Sequence, residues 1–417
     1  MKTPAILLLV LLLWCRPVAA GEISIGSFLA TATTDYLLDH QKEKIDFLGS
    51  SSSNTPYIDR IELRTETDEF RLSQQRYSVR VYPNGWGATA SGRKVFEATK
   101  AYTESERDLL VHEALKKRYT LVNDMLHARR LSALKETLLL LYDDRVTVLK
   151  QRMQTVDFDV NDLIRAEDDY ANLQLELIEL ESRTATLEDI IRDYFPAEGP
   201  VVFDAKNLAG IATITEILNQ STSAPGGANV HLQNAAARVA LARNRLELEE
   251  SENRKYISFL EGAYDSDEQR HNADEVFTVQ LGIRFPFINS GRLDINRRKL
   301  DVLEEKARCE EQKRMLSERI TVIMRTLKRQ CRQHDYIRQQ QEEGTAKAAL
   351  QQYMRMAGAD PLVLLDLRDS ILERDVSLEK IRYEICTGYV DLLDRTGRLS
   401  AKPLVNFMSA DLETLVP

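Results

Sequence analysis

The chain has 417 residues, with 56 Lys and Arg, 65 Asp and Glu, 17 Gly and 11 Pro. Gly and Pro are too few for a collagenous or low-complexity chain, and a formal net charge of −9 argues against a nucleic-acid-binding protein, which needs a basic face for phosphates. The 43% of hydrophobic residues can form a core, whereas 29% charged and only 7% aromatic residues favour long, solvated helices.

The first twenty residues have the pattern of an export signal. A basic residue near the start precedes an apolar run over 5–14, which is too short to cross a bilayer as a helix. Small residues then lead to an expected cleavage site before Gly21. We therefore predict that 1–20 is a signal peptide and that the mature chain is exported. An uncleaved membrane anchor and a lipoprotein at Cys15 are the alternative interpretations.

Two similar stretches indicate an internal repeat. Each has two strand-like segments and a Ser-Gly-Arg triplet, at 91–93 and 290–292, followed by more than fifty residues without proline. A short break and a second helical run complete each stretch. We predict a duplicated strand–strand–long helix–helix unit, in a fold that is mainly α with a small β part. The predicted divisions are a first repeat over 21–195, a linking segment over 196–229, a second repeat over 230–400 and a C-terminal tail over 401–417.

The first repeat starts with a predicted pair of strands at about 57–83. Apolar residues alternate with the charged residues Arg60, Glu62 and Arg64. In a membrane these charges are acceptable only where they face a water-filled lumen, so we predict that they face the lumen. A soluble hairpin with one buried face is the alternative, because the apolar face of this pair is short.

Long helices are predicted over about 91–154 and 159–194. Leu131, Leu134, Leu138 and Leu141 follow the 3–4–3 spacing of a coiled-coil seam. A single helix over the first range would be on the order of 95 Å long. Such a helix needs antiparallel neighbours along its length, from its own chain or from other copies.

The second repeat starts with predicted strands at about 255–264 and 276–287. Along the second strand, apolar residues at odd positions alternate with polar residues and with Arg284, the pattern of a strand with lipid on one side and water on the other. Four strands cannot close a barrel, and an open edge in lipid leaves backbone groups unpaired at several kcal/mol each. Strands in a membrane would therefore require several chains. Heptad spacing predicts the following helices at about 291–352 and 361–396.

The order and duplication of these features resemble the TolC-type outer-membrane efflux family over about residues 24–400. The segment 285–292, with Pro286 and Gly291, is similar to the family's strand-to-helix junction, and Gly92 has the matching place in the first repeat. Three further segments resemble its two helical turns and its closing helix, namely 162–170, 358–366 and 392–397.

The resemblance implies a homotrimer in the outer membrane of a Gram-negative bacterium. Its helices would form a long antiparallel coiled-coil barrel in the periplasm, with 196–229 as a belt around its middle. Its strands would form a shared twelve-stranded β-barrel surrounded by outer-membrane lipid, four strands from each chain. The resemblance implies a periplasmic adaptor and an inner-membrane pump or ABC transporter as partners, with no nucleic-acid partner. Channels of this family are passive.

The helical turns would form the periplasmic entrance of the tunnel. By similarity Asp162 and Asp366 lie in the first turns of the return helices, and Gly358 is the tip glycine. Three copies would form rings of carboxylates, which favour cations. Charge complementarity at a helix N-terminus is the alternative explanation for both acids.

The tips also depart from the family pattern. Asp157 stands about where the first tip would have its glycine, and Asp360 is acidic where some family members have a basic residue that helps to close the entrance. Asp157, Asp159 and Asp360 also suit turns. The gating of the entrance is therefore not predicted.

The leading hypothesis is an outer-membrane channel for efflux or type I secretion. The alternative is a periplasmic structural coiled-coil protein of the same ancestry that forms no transmembrane pore. The sequence contains no nucleophile elbow, metal-binding motif or phosphate-binding loop. We therefore predict no catalytic residue, no metal site and no cofactor, and the cargo is left open.

Overall fold

The computed structural model describes residues 22–51, 56–67, 75–154, 158–196, 199–220, 229–265, 277–285, 291–356 and 358–415. The predicted signal peptide, Asp157 and Pro286 lie outside these residues. The helices are α1 (Ile25–Ala30), α2 (Tyr36–Ser50), α3 (Ala88–Arg152), α4 (Val160–Tyr194), α5 (Ile211–Gln220), α6 (Val230–Glu252), α7 (Arg292–Glu343), α8 (Thr345–Tyr353) and α9 (Pro361–Thr396), with a 3₁₀ helix at Thr31–Thr34. The strands are β1 (Ile58–Thr67), β2 (Gln75–Pro83), β3 (Ile257–Asp265) and β4 (Phe277–Ile283).

The prediction of a mainly helical chain with a small β part is confirmed. Three differences concern the helices. Helix α3 starts at Ala88 rather than at 91. The helix predicted over 291–352 is divided into α7 and α8 at Gly344, where an added Cβ would overlap the carbonyl oxygen of Gln340. Helices α1, α2, α5 and α6 were not predicted from the sequence.

The four strands form one antiparallel sheet in the order β1-β2-β3-β4. The central pair joins the two repeats, since Val79 of β2 lies opposite Gly262 of β3. Strands β1 and β4 are the two edges of the sheet. Strand β4 ends at Ile283, whereas the predicted strand continued to 287, and 286–290 lie outside the described residues.

The chain folds into two compact units. The first contains the segment up to Tyr36 together with 111–229 and the chain from Leu316 onward, and the second contains 37–110 and 230–315. Each unit draws segments from both sequence repeats. The units therefore differ from the repeats, because elements of one repeat pack on the corresponding elements of the other.

The core of the first unit lies between its long helices. The predicted seam residues Leu115, Tyr119 and Val122 of α3 are fully buried, as are Ile320 and Leu327 of α7, which confirms the heptad interpretation. A second cluster contains Leu131, Leu138 and Leu141, with Leu134 partly buried beside them.

Polar contacts give the order of the long helices within this unit. Arg129 of α3 pairs with Glu188 of α4 at 3.0 Å, and the hydroxyl of Tyr383 in α9 donates to Asp124 of α3 at 2.7 Å. The amide of Gln330 in α7 donates to Glu384 of α9 at 2.8 Å. The order is α4–α3–α9–α7, with α4 and α7 at its ends.

Among the residues that the structure describes, no helix is both long enough and apolar enough to cross a bilayer.

Candidate functional site

One face of the four-stranded sheet is polar and contains the predicted lumen residues. Because directly opposed residues of an antiparallel sheet share a face, the register places Glu62 beside Arg80, Arg80 beside Glu261 and Glu261 beside Gln280. Alternation adds Arg60 and Arg64 to the same face. The sequence pattern predicted the charges of β1 but not their partners on β2 and β3.

The charges of this polar face are paired with one another. Glu62 binds Arg60 at 3.1 Å and Arg64 at 2.7 Å, and it accepts a hydrogen bond from the Tyr82 hydroxyl at 3.0 Å. The Arg80 Nε donates to Glu261 at 2.6 Å. Glu261 is only 6% exposed. The polar face is therefore a network of three arginines and two glutamates, in which Glu261 is buried and Arg60 and Arg64 are exposed.

The opposite face of the sheet is apolar and exposed. Leu63, Val79 and Val279 are aligned across β1, β2 and β4, and they are 81%, 45% and 77% exposed. Leu281 and Ile283 continue this face and are 54% and 62% exposed. A soluble sheet with one solvated face buries its apolar side, whereas this sheet exposes it. Contiguous exposed apolar surface marks a site of interaction with protein or lipid.

The strand-to-helix junctions differ in part from the prediction. Gly92 lies inside α3, which starts at Ala88. The residue at this junction that packs tightly against another backbone segment is Gly85, where an added Cβ would overlap the Ser251 carbonyl oxygen. In the second repeat Gly291 directly precedes α7, and a Cβ there would overlap the Asn253 side chain.

Arg284 lies immediately after β4. Its backbone N–H donates to the Tyr256 carbonyl at 2.8 Å, which continues the pairing of the strands beyond Ile283. Its alternation with Gln280 and Gly282 would place it on the polar side of the strand, and its predicted position in the lumen stays a prediction.

At the first helical turn, α4 begins after an N-cap aspartate. The Asp159 carboxylate accepts a hydrogen bond from the Asn161 N–H at 2.9 Å, which satisfies a free donor of the first turn. Asp162 lies in that turn with its side chain 58% exposed, and its nearest cation is Arg165 at 3.9 Å. Asp162 is thus a solvated acid at a helix N-terminus.

The second helical turn has the predicted glycine and a second N-cap. Gly358 has a φ of +80°, a conformation that glycine adopts without a steric penalty. Two residues later the Asp360 carboxylate accepts a hydrogen bond from the Leu362 N–H at 2.9 Å and pairs with both terminal nitrogens of Arg152, at the end of α3. Asp360 therefore connects the two helical hairpins at their turns.

The pKa of Asp360 lies below its ordinary value of 3.8, chiefly because of the Arg152 hydrogen bond and then the Leu362 N–H. Its stabilising effect is present at neutral pH and is lost as the pH falls through the lowered folded-state pKa. We expect Asp360→Asn, which keeps the cap, to destabilise α9 at neutral pH but not in strong acid. Asp360→Ala also loses the cap, at about 0.5–2 kcal/mol. Thermal unfolding as a function of pH measures both effects, and a pH-independent loss for Asp360→Asn would contradict the ionic role.

Asp366 is half exposed, but it is not free of partners. Its carboxylate binds Arg145 of α3, and Arg145 also lies 4.0 Å from Asp369. Burial, followed by the nearby Glu373, raises the pKa of Asp369 above its ordinary value. The acidic patch at the start of α9 is therefore partly neutralised by α3, and no local sequence signal indicated this pairing.

Solved structures of outer-membrane proteins have a similar fold. The MtrE outer membrane channel of Neisseria gonorrhoeae aligns with a TM-score of 0.64 and 11% identity, over 89% of this chain and 88% of that chain. The outer membrane protein VceC from Vibrio cholerae aligns with a TM-score of 0.62 and 12% identity, over 89% of this chain and 96% of that chain. The CmeC outer membrane channel of Campylobacter jejuni aligns with a TM-score of 0.61 and 10% identity, over 89% of this chain and 85% of that chain.

No protein-family model and no curated protein matches the chain. The structural similarity nevertheless covers most of this chain and most of each solved structure. The chain therefore has the fold of the TolC-type outer-membrane channels, which confirms the resemblance predicted from its motifs.

Proposed function

We propose that the chain is one subunit of an outer-membrane channel-tunnel, a passive exit duct for efflux or type I secretion. The observation that carries this proposal is the exposure of the apolar face of the sheet. Leu63 on its apolar face is 81% exposed, and on its charged face Glu261 is 6% exposed while Arg60 and Arg64 are 61% and 41% exposed. Lipid against the apolar face and water against the polar face would satisfy both surfaces.

The open edges of the sheet support a homotrimer with a shared barrel. In lipid the free backbone groups of β1 and β4 would each cost several kcal/mol. Pairing of β1 in one copy with β4 in the next removes these edges, and three copies give twelve strands. The face that contains Arg60, Glu62 and Arg64 then lines the lumen, together with Arg284.

The proposed localisation is the outer membrane of a Gram-negative bacterium, with the long helices in the periplasm. The partners would be a periplasmic adaptor and an inner-membrane pump or ABC transporter, which supplies the energy. The channel itself would catalyse no reaction and would need no cofactor. The fold shared with outer-membrane channels supports this assignment.

A periplasmic structural protein of the same ancestry is the second candidate. It is favoured by the short apolar face of β1, on which Ile61 and Leu63 are the only large apolar residues after Ile58. Cell fractionation separates the two functions. The channel should be recovered with the outer membrane as a trimer that dissociates on heating, whereas recovery of a soluble monomer after gentle lysis would refute the channel.

We also propose that Asp162 and Asp366 form acidic rings at the tunnel entrance, near Gly358. Their side chains are 58% and 55% exposed, and rings of carboxylates favour cations. The double variant Asp162→Ala with Asp366→Ala should weaken the cation preference of the reconstituted pore, the more so because Arg145 loses its counter-charge. Reversal potentials in a salt gradient measure this preference.

A matched control removes two exposed acids from the other end of α4, with Asp189→Ala and Asp193→Ala. This control should leave the ion selectivity close to that of the unmodified pore. Unchanged selectivity in the variant at the tips would discard the acidic rings.

A further inference from the structure

An open cavity lies where the chain passes between the helices and the sheet in the second repeat. Its volume is about 440 Å³, which is within the usual range for ligand pockets. Its walls come from the end of α6, from the residues that connect α6 to β3, and from the start of α7. We call it the junction cavity, and its polar lining residues are Glu250, Asn253, Arg254, Arg292, Asn296 and Lys299.

The walls of the junction cavity are held in place by the fold. The Asn253 amide donates to the Glu249 carbonyl at 2.8 Å. A Cβ added to Gly291 would overlap the Asn253 side chain, so the start of α7 packs directly against this residue. The Arg254 carbonyl accepts a hydrogen bond from the Trp86 N–H at 3.1 Å. The cavity is therefore formed before any ligand binds, which lowers the cost of binding.

Three basic side chains line the cavity without an anionic partner. Arg254, Arg292 and Lys299 are exposed, and none of their side chains forms a salt bridge or a hydrogen bond with the residues that the structure describes. Glu250 is the one acidic residue in the described lining, so three cations and one carboxylate give the cavity a formal charge of +2. This local excess occurs in a chain whose formal net charge is −9.

Other basic residues of the same junction are neutralised by the protein itself. Lys255 lies 3.7 Å from Asp59, and Arg298 lies 3.4 Å from Asp301. The cavity cations thus differ from their neighbours in having no internal counter-charge. Cations that line one cavity indicate an anionic ligand, and a phosphate group provides several acceptor oxygens for arginine and lysine donors.

The junction cavity lies at the end of the sheet where the helices begin. Arg254 lies shortly before β3, and Arg292 is the first residue of α7. Tyr256 and Phe285 are at the same end and are 53% and 59% exposed. In membrane barrels, aromatic residues of this kind mark the boundary between lipid tails and headgroups. In the proposed channel this end of the sheet faces the periplasm, so the cavity lies at the level of the headgroups of the inner leaflet.

We propose that the junction cavity binds the phosphate of an anionic phospholipid headgroup. This inference rests on the proposed channel, which places the sheet in a membrane, and adds a lipid site to it. The guanidinium groups of Arg254 and Arg292 bind the phosphate oxygens, and Lys299 adds a third positive charge. The excess of positive charge favours a headgroup with a net negative charge over a zwitterionic headgroup.

Native mass spectrometry of the full chain, extracted in mild detergent, tests this site. The protein is mixed with equal amounts of phosphatidylglycerol, which is anionic, and phosphatidylcholine, which is zwitterionic. We expect the unmodified chain to bind phosphatidylglycerol about tenfold more tightly or better. The triple variant Arg254→Ala, Arg292→Ala and Lys299→Ala should lose this preference, because the cavity then keeps only the Glu250 carboxylate.

The matched control is the triple variant Arg243→Ala, Arg245→Ala and Arg297→Ala, which removes the same charge from α6 and α7. These three arginines are exposed, and none of them lines the cavity. The control should keep the preference, since both triple variants have the same net charge. Circular dichroism should show unchanged helix content in each variant, so that a loss of lipid is a loss of the site.

Inorganic phosphate distinguishes a lipid headgroup from a free ion. Phosphate added to the complex should displace phosphatidylglycerol only weakly, because the free ion lacks the attachment that the membrane gives to the lipid. Phosphate that binds more tightly than phosphatidylglycerol would assign the cavity to a free ion and overturn the lipid site. Equal binding of the two lipids, or an equal loss in the control, would overturn it as well.

The outcomes also separate the lipid site from the channel. A conducting trimer without any preference between the two lipids refutes the site and leaves the channel standing. A chain that is recovered as a soluble monomer refutes the proposed function, and the lipid site with it.

Discussion

Replacing Asp35 with alanine should lower the free energy of unfolding by about 3–5 kcal/mol, because it leaves a buried cation without its anion. Asp35 pairs with Arg118 of α3 at 2.6 Å, and the two side chains are 3% and 1% exposed. The guanidinium also lies 3.9 Å from the centre of the Tyr194 ring and within 3.4 Å of the Thr31 hydroxyl. This cluster attaches the N-terminal segment to the long helices of its unit.

A double variant distinguishes the cost of leaving one buried charge unpaired from the cost of removing the whole ion pair. Asp35→Leu with Arg118→Met removes both charges and keeps apolar volume, and such replacements are often neutral or stabilising. The double variant should therefore lose less stability than Asp35→Ala. Denaturant unfolding with an unchanged slope gives the comparison. A loss below about 1 kcal/mol for Asp35→Ala would contradict the anchoring role.

Leu327→Ala should be the second large effect, with a loss of about 2–5 kcal/mol. Leu327 is fully buried at the contact between α7 and α9. The helices approach closely there, since a Cβ added to Gly388 would lie 2.8 Å from Leu327 Cδ2. Truncation of the leucine opens a cavity that these closely packed helices cannot fill.

The glycine offers an internal check on this packing. Gly388→Ala alone should destabilise the protein, because the new methyl group has no room beside Leu327. In the Leu327→Ala background the same methyl group enters the cavity and should restore part of the loss. Leu300→Ala, at a leucine of α7 that is 59% exposed, should change stability by about 0.5 kcal/mol or less. Equal effects at Leu300 and Leu327 would contradict the buried seam.

Regular periodicity made the long elements predictable from the sequence. A strand or helix whose side chains alternate between two environments shows that alternation in its residues. The strand pattern around Phe277 and the heptads around Leu138 and Leu327 are of this kind. The division of a long helix at Gly344 was not predictable, because a single glycine inside a helical pattern is often tolerated.

The short N-terminal helices depend on contacts that are distant in sequence. Ile25, Phe28, Leu29 and Ala32 follow the i, i+3, i+4, i+7 spacing and are all buried, so this pattern could have indicated a helical segment. The sequence of helix α2 has a weaker helical pattern of buried residues, since only Leu38 and Gln41 of this helix are buried. The Gln41 amide donates to the Thr103 carbonyl at 3.0 Å, a contact across 62 positions that local patterns do not contain.

The candidate site was predictable in its residues but not in its pairing. The sequence indicated Asp162 and Asp366 as tip acids and Arg60 to Arg64 as a charged strand face. It did not indicate that Arg145 neutralises Asp366 or that Arg152 binds Asp360. These pairs join residues more than two hundred positions apart, and charge patterns along one helix carry no information about them.

Conductance is the most direct test of the central claim that the sheet closes with other copies into a transmembrane pore. Trimers purified from the outer membrane, without prior heating, should give stepwise, cation-preferring currents in a planar lipid bilayer, and heat-dissociated monomers should give none. Intact trimers that insert into the bilayer without any conductance would contradict the pore and leave the periplasmic coiled-coil protein as the better account.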